Sequence, residues 1–126
     1  MENKDIRWKQ RFKNFEKALN HLSDALLISN PDIVQKAGII QFFEMSYELA
    51  WNAMKGFTDV NSPKAAIKKA FETGLISNGH LWMELLLDRN LTAHTYDEQK
   101  ATEVGKLIQV KYYPLLKDLY NTLIIR

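Results

Sequence analysis

The stretch Arg89-Asn90-Leu91-Thr92-Ala93-His94-Thr95-Tyr96 gathers most of the reactive chemistry this chain offers. Only three histidines occur, His21, His80 and His94, and histidine is the side chain whose proton equilibrium lies nearest neutral pH. His21 stands beside Leu22 in a long amphipathic run, which predicts a surface position. His80 follows Gly79 and is expected to help begin a helix. His94 has a different neighbourhood: Arg89 lies five residues before it, Asn90 four before it, and Tyr96 two after it. Arginine presents a planar fork of donors matched to phosphate oxygens. Histidine can remove or supply a proton during attack on phosphorus. Together they suit metal-independent cleavage of RNA, in which the ribose 2′-hydroxyl attacks the adjacent phosphate and the guanidinium stabilises the developing charge.

Helical geometry sets a condition on that chemistry. On a continuous helix Asn90 and His94 share a face through i, i+4 spacing, and Arg89 and Tyr96 share one through i, i+7. Arg89 and His94 then point roughly 140° apart at 3.6 residues per turn. Both reach one ligand only if the helix loosens near Thr92-Ala93 or if the site is shared between subunits. The β-branched Thr92 and Thr95 favour loosening. The alternative stays open at this point: an arginine and a histidine at a helix end commonly serve as capping or surface groups.

Other chemistry finds little support. The chain has no cysteine, so it has no disulfide, thiolate nucleophile or thiolate metal site. No His-Glu-x-x-His occurs, and acids do not cluster with a histidine at ligand spacing, so neither a metal nor a cofactor is expected. Glu44, Glu48 and Asn52 read as a solvated or interface strip rather than a carboxylate dyad. Lys9, Arg11, Lys13 and Lys17 read as a solvated face, with an RNA-steering patch as the minority reading. Tyr112 and Tyr113, just before Pro114, read as core and kink packing rather than a base-stacking platform.

The elements that must position the motif follow from periodicity. Trp8, Phe12, Phe15, Leu19, Leu22 and Leu26 recur in steps of four and three, predicting a first helix from Asp5 to about Leu27. Ser29-Asn30-Pro31 ends it. A second helix is expected from Asp32 to about Phe57 with two apolar stripes. One holds Ile33, Ala37, Ile40, Phe43, Tyr47, Ala50 and Met54; the other holds Ile39, Phe42, Leu49 and Ala53. Two stripes imply cover on two sides, one of which a second copy of the molecule could supply. Ser62 and Pro63 suit the start of a short third helix, and Gly74 suits its end. A fourth helix presents Leu81, Trp82, Leu85 and Leu86 to the core and leads into Arg89. The last runs from near Asp97 to about Ile124, buries Ala101, Val104, Ile108, Tyr112, Leu115, Leu119 and Leu123, and is expected to bend at Pro114. The fold class is all-α, an up-and-down bundle of four to five helices.

The 126 residues suit one domain, 1–126. With 46% hydrophobic and 25% charged residues the composition is that of a globular chain. The formal charge of +2, from 17 basic and 15 acidic residues, is a weak excess for avid RNA binding, although local distribution matters more than the sum. Charges recur from the N-terminus before any apolar run forms, so no secretory signal is expected. No run approaches the ~20 apolar residues that cross a bilayer. A cytoplasmic protein is expected.

Arg-Asn-x-x-x-His-x-Tyr at the end of a late helix resembles the signature of HEPN domains. Four residues between Arg and His, with Tyr two after the His, resemble the HepT-like branch, also called nucleotidyltransferase substrate-binding proteins. Phe43-Glu44-Met45-Ser46-Tyr47-Glu48-Leu49-Ala50-Trp51 is similar to that branch's second-helix signature, and Arg11-Phe12-x-x-Phe15-x-x-Ala18-Leu19 to its first. The likeness spans nearly the whole chain. The resemblance implies a homodimeric helical bundle, a toxin ribonuclease paired with a minimal nucleotidyltransferase as antitoxin, and an RNA substrate. By motif, Arg89 would be the phosphate clamp, His94 the general acid/base, Asn90 the orienting residue and Tyr96 a supporting hydroxyl. Tyr96 is also a candidate for adenylylation by the partner. An AMP there would place bulk and negative charge beside Arg89. A second reading is a non-catalytic subunit that binds a nucleotide or presents a substrate to the nucleotidyltransferase.

Overall fold

The structure, a computed structural model, describes residues 2–58, 60, 62–87 and 97–125. The described residues are helical and contain no strand. In order they form α1 (Glu2–Leu26), α2 (Ile33–Thr58), α3 (Pro63–Glu72), α4 (Gly79–Leu87), α5 (Glu98–Leu107), a π-helical turn (Ile108–Tyr112) and α6 (Tyr113–Ile124). The all-α bundle expected from periodicity is the fold observed.

Helix starts and stops are set by short-range chemistry. Asn30, with φ of 50°, turns the chain between α1 and α2, a conformation asparagine tolerates better than most residues. Asp32 and Gln35 then cap α2 reciprocally: Gln35 N–H donates to Asp32 Oδ1 at 2.8 Å and Asp32 N–H donates to Gln35 Oε1 at 2.9 Å. Ser62 caps α3 by accepting the Ala65 N–H at 3.0 Å, with Pro63 in the first turn. Gly74, at φ of 79°, lets the chain leave α3.

Contacts fix the directions of the long helices. Trp8 and Arg11 approach Gly56, while His21 stacks on Phe42 at 5.4 Å, so α1 and α2 are antiparallel. Lys36 pairs with Glu98 and Phe43 stacks on Tyr112 at 5.6 Å. The last helix therefore runs in the same sense as α2 and opposite to α1. α3 and α4 carry the chain back between the two ends.

Most of both α2 stripes is covered within one chain. Ile39, Ile40, Phe43, Tyr47, Ala50, Ala53 and Met54 are all buried, with α1 packed on one side and α3, α5 and α6 on others. Phe42 and Leu49 of the second stripe are only half-buried, so part of that stripe stays open to solvent in the single chain. Of the stripe residues only Ile33, at the N-terminal end of α2, is exposed.

Pro114 acts through a wide turn rather than a simple bend. The Tyr113 N–H reaches back five residues to the Ile108 carbonyl, the bonding pattern of a π-helix. Widening relieves the crowding that a proline ring imposes on the carbonyl four residues earlier. It also accommodates two successive steps of four, Val104 to Ile108 to Tyr112, which would drift around an ordinary α-helix. Ile108 and Tyr112 are consequently both fully buried. On the outer side, Phe12 stacks between Trp8 and Tyr120. The Tyr120 hydroxyl donates to Glu16 Oε2 at 2.6 Å. That bond, with burial and the Glu16 charge adding to it, raises the Tyr120 pKa above its usual value.

Candidate functional site

Arg89, Asn90, His94 and Tyr96 lie outside the described residues. What the fold defines is how the chain enters and leaves the segment that holds them.

On the entry side, Asn78 starts α4, its side-chain carbonyl accepting the Leu81 N–H at 3.1 Å. Trp82 and Leu85 are buried, and Trp82 stacks on Tyr47 of α2 at 6.4 Å. Glu84, five residues before Arg89, forms an ion pair with Lys111 of the π-turn. Ser77 Oγ, just before α4, donates to Asp118 of α6 at 3.2 Å. α4 is therefore fixed at its start by Ser77, at its centre by Trp82 and near its end by Glu84.

On the exit side, Asp97 caps α5, its Oδ1 accepting the Gln99 N–H at 3.0 Å and the Lys100 N–H at 3.2 Å. Glu98 adds negative charge where the helix dipole favours it. Its carboxylate meets Lys36 Nζ at 3.3 Å, which ties the start of α5 to the first turn of α2.

Beside this exit lies a cavity of about 420 Å³ that opens to solvent. One wall is a single face of α5 and the π-turn: Thr102, Gly105, Lys106 and Gln109 follow i, i+3, i+4, i+7 spacing. Facing it are Asn30 and Pro31 of the α1–α2 turn and Lys36 of α2. Leu26 and Ile28 join the buried Ile39 and Ala101 in its apolar lining. The two charged residues among the described lining are both lysines.

The other histidines stand where the sequence puts them: His21 and His80 are exposed, on α1 and in the first turn of α4. Lys9, Lys13 and Lys17 are solvated. Tyr112 is core. No group of three or more acids and histidines is arranged to hold a metal ion among the described residues. Spacing alone had not linked Lys36 with Lys106, seventy residues apart in the chain.

Comparison with known proteins decides the family. Residues 10–124 match the family described as "Nucleotidyltransferase substrate binding protein like". The chain belongs to this HEPN, HepT-like family. It is 33% identical to the probable ribonuclease HepT of Haemophilus influenzae, across 74% of this chain and 73% of that protein. Its fold is similar to the crystal structure of a Thermus Thermophilus protein, ttk003001694, with a TM-score of 0.76 and 30% identity over 86% of this chain and 98% of that one. No described helix is long and apolar enough to cross a membrane.

Proposed function

We propose that this HepT-like chain is the ribonuclease toxin of a toxin–antitoxin pair. The observation that carries the reading is its 33% identity to a probable ribonuclease HepT, joined to an Arg-x4-His-x-Tyr motif between α4 and α5. In this reading His94 takes the proton of the ribose 2′-hydroxyl as that oxygen attacks the adjacent phosphorus. The bond from phosphorus to the 5′-oxygen breaks, and the leaving oxygen receives a proton from the imidazolium form of histidine. The products are a 2′,3′-cyclic phosphate and a 5′-hydroxyl end. Arg89 holds the phosphate oxygens as their charge develops, Asn90 orients the site, and Tyr96 lends a hydroxyl.

A homodimer deepens the reading, because two copies of the motif facing one cleft would remove the angular mismatch between Arg89 and His94 on a single helix. The partner is a minimal nucleotidyltransferase that neutralises the toxin in the cytoplasm, with adenylylation of Tyr96 as its route. The chain is one domain, 1–126, and the chemistry needs no metal or cofactor because the protons and charge are handled by side chains. The family's description as substrate-binding favours a second reading: a non-catalytic subunit that presents a nucleotide or substrate to the nucleotidyltransferase. Incubating the purified protein with RNA in the presence of a chelator separates the two. Cleavage lost in His94→Ala and Arg89→Ala supports the ribonuclease; intact RNA with a stable nucleotidyltransferase complex supports the subunit.

A further inference from the structure

The cavity between the α1–α2 turn and α5 has a composition that the fold does not require. Its apolar lining comes from Leu26 and Ile28 with the buried Ile39 and Ala101. Asn30, Thr102 and Gln109 add polar groups along its walls. Among the described residues its charge is cationic, from Lys36 and Lys106, and no described carboxylate lines it. Lys36 is held in place: its side chain is only 18% exposed, and it meets Glu98, whose side chain is 65% exposed and stands outside the cavity lining. An ammonium carries three donors, so the contact with Glu98 fixes Lys36 without exhausting it.

Gly105 supplies a separate observation. It sits inside a helix, where glycine is less favourable than alanine because it has more backbone freedom to lose. A Cβ built there would meet nothing within 4 Å among the described residues, so no described neighbour demands a glycine. The space beyond its Cα belongs to the cavity. Leaving that wall bare widens the opening between the two lysines and lets a ligand approach the backbone closely.

We infer that this cavity is a nucleotide subsite, which takes a phosphate-bearing nucleotide with its base against the apolar lining at Leu26 and Ile28 and its phosphate between Lys36 and Lys106. It lies about 8–12 Å along α5 from Asp97 at the helical rise of 1.5 Å per residue. The inference rests on the ribonuclease reading in one respect: it makes the natural occupant a nucleotide of the RNA strand that passes Arg89 and His94. The same chemistry would hold a free mononucleotide.

AMP and a short single-stranded RNA, titrated by calorimetry into the wild-type protein, distinguish the sources. Gly105→Leu fills the opening with a good helix former, and Lys106→Glu reverses a charge at an exposed position. Each variant is expected to weaken binding at least tenfold while melting at or near the wild-type temperature. Wild-type binding should also fall as salt rises. RNA binding without AMP binding, lost in both variants, assigns the subsite to the strand; loss of both ligands assigns it to nucleotides generally. Unchanged affinity in both variants, or no binding of either ligand to the wild type, overturns the inference. Cleavage by the same samples keeps the two proposals apart. If the wild type cleaves RNA and Gly105→Leu does so with unchanged KM, the subsite is wrong and the ribonuclease stands. If AMP binding is lost in Gly105→Leu but the wild type cleaves nothing, the subsite stands and the ribonuclease fails.

Discussion

Arg89 and His94 divide the proposed chemistry in a way substitutions can separate. His94→Ala removes the proton shuttle, and general acid–base catalysis typically contributes about 10²–10⁴-fold; kcat is expected to fall within that range with KM little changed. Arg89→Lys keeps the charge but loses the planar fork that grips two oxygens at once, so it is expected to cleave far less well than wild type. Steady-state cleavage of a defined RNA checks both. Tyr120 offers a prediction about stability. Its pKa is raised in the folded state by the hydrogen bond to Glu16, so the folded protein holds this proton more tightly than the unfolded chain. The associated stability is fully present below the unfolded value near 10 and is lost as pH rises through the higher folded value. Urea unfolding of Tyr120→Phe should therefore show a shallower alkaline decline than wild type, and an equally steep decline in both would refute this account. At this scale the Arg89–Tyr96 motif is a reading of residues near one another in sequence, and it lies outside the described residues. The pairing of Lys36 with Lys106 was not legible, because only the packing of α2 against α5 brings them to one cavity.

Helices deliver these residues, and magnitudes show what holds them. α4 enters the motif anchored by buried Trp82 and tied to the last helix by Glu84 and Lys111, whose side chains are 38% and 36% exposed. An ion pair so open to solvent contributes about 0–1 kcal/mol, whereas truncating a buried tryptophan costs about 3–5 kcal/mol. Chemical denaturation should accordingly show Trp82→Ala strongly destabilised and Glu84→Gln nearly unchanged. A large loss in Glu84→Gln would mean that the pair, and not the core, secures α4. Ser62→Ala should cost about 1 kcal/mol, the usual worth of a helix N-cap, through loss of the bond to Ala65. The long helices were readable from three-and-four spacing, the short third helix from Ser62, Pro63 and Gly74, and the starts at Asp32 and Asp97 from where the periodic runs begin. The π-turn was not: proline announces that a donor is missing, but whether the helix bends or widens depends on Phe43 and the other neighbours that keep Tyr112 buried.

Taken as a whole, the molecule is a bundle in which α2 is the central element. Its two apolar stripes were read as wanting cover on two sides, one of which a second molecule could supply. One chain covers most of them with α1, α3, α5 and α6 and leaves Phe42 and Leu49 half-buried, because periodicity reports that a face is buried and not which chain buries it. The proposed homodimer therefore rests on the family and on the angular mismatch between Arg89 and His94. Sedimentation equilibrium should return twice the 14.7 kDa chain mass; a monomer that still cleaves RNA would require the loosened-helix route within one chain.

The central claim is the ribonuclease activity of the Arg-His motif, and the most direct measurement is RNA cleavage by purified protein with chelator present, wild type beside His94→Ala. The account predicts cleavage by the wild type, ends carrying 2′,3′-cyclic phosphate, and little or no cleavage by the variant. Intact RNA with the wild type, or equal cleavage by both proteins, would contradict it.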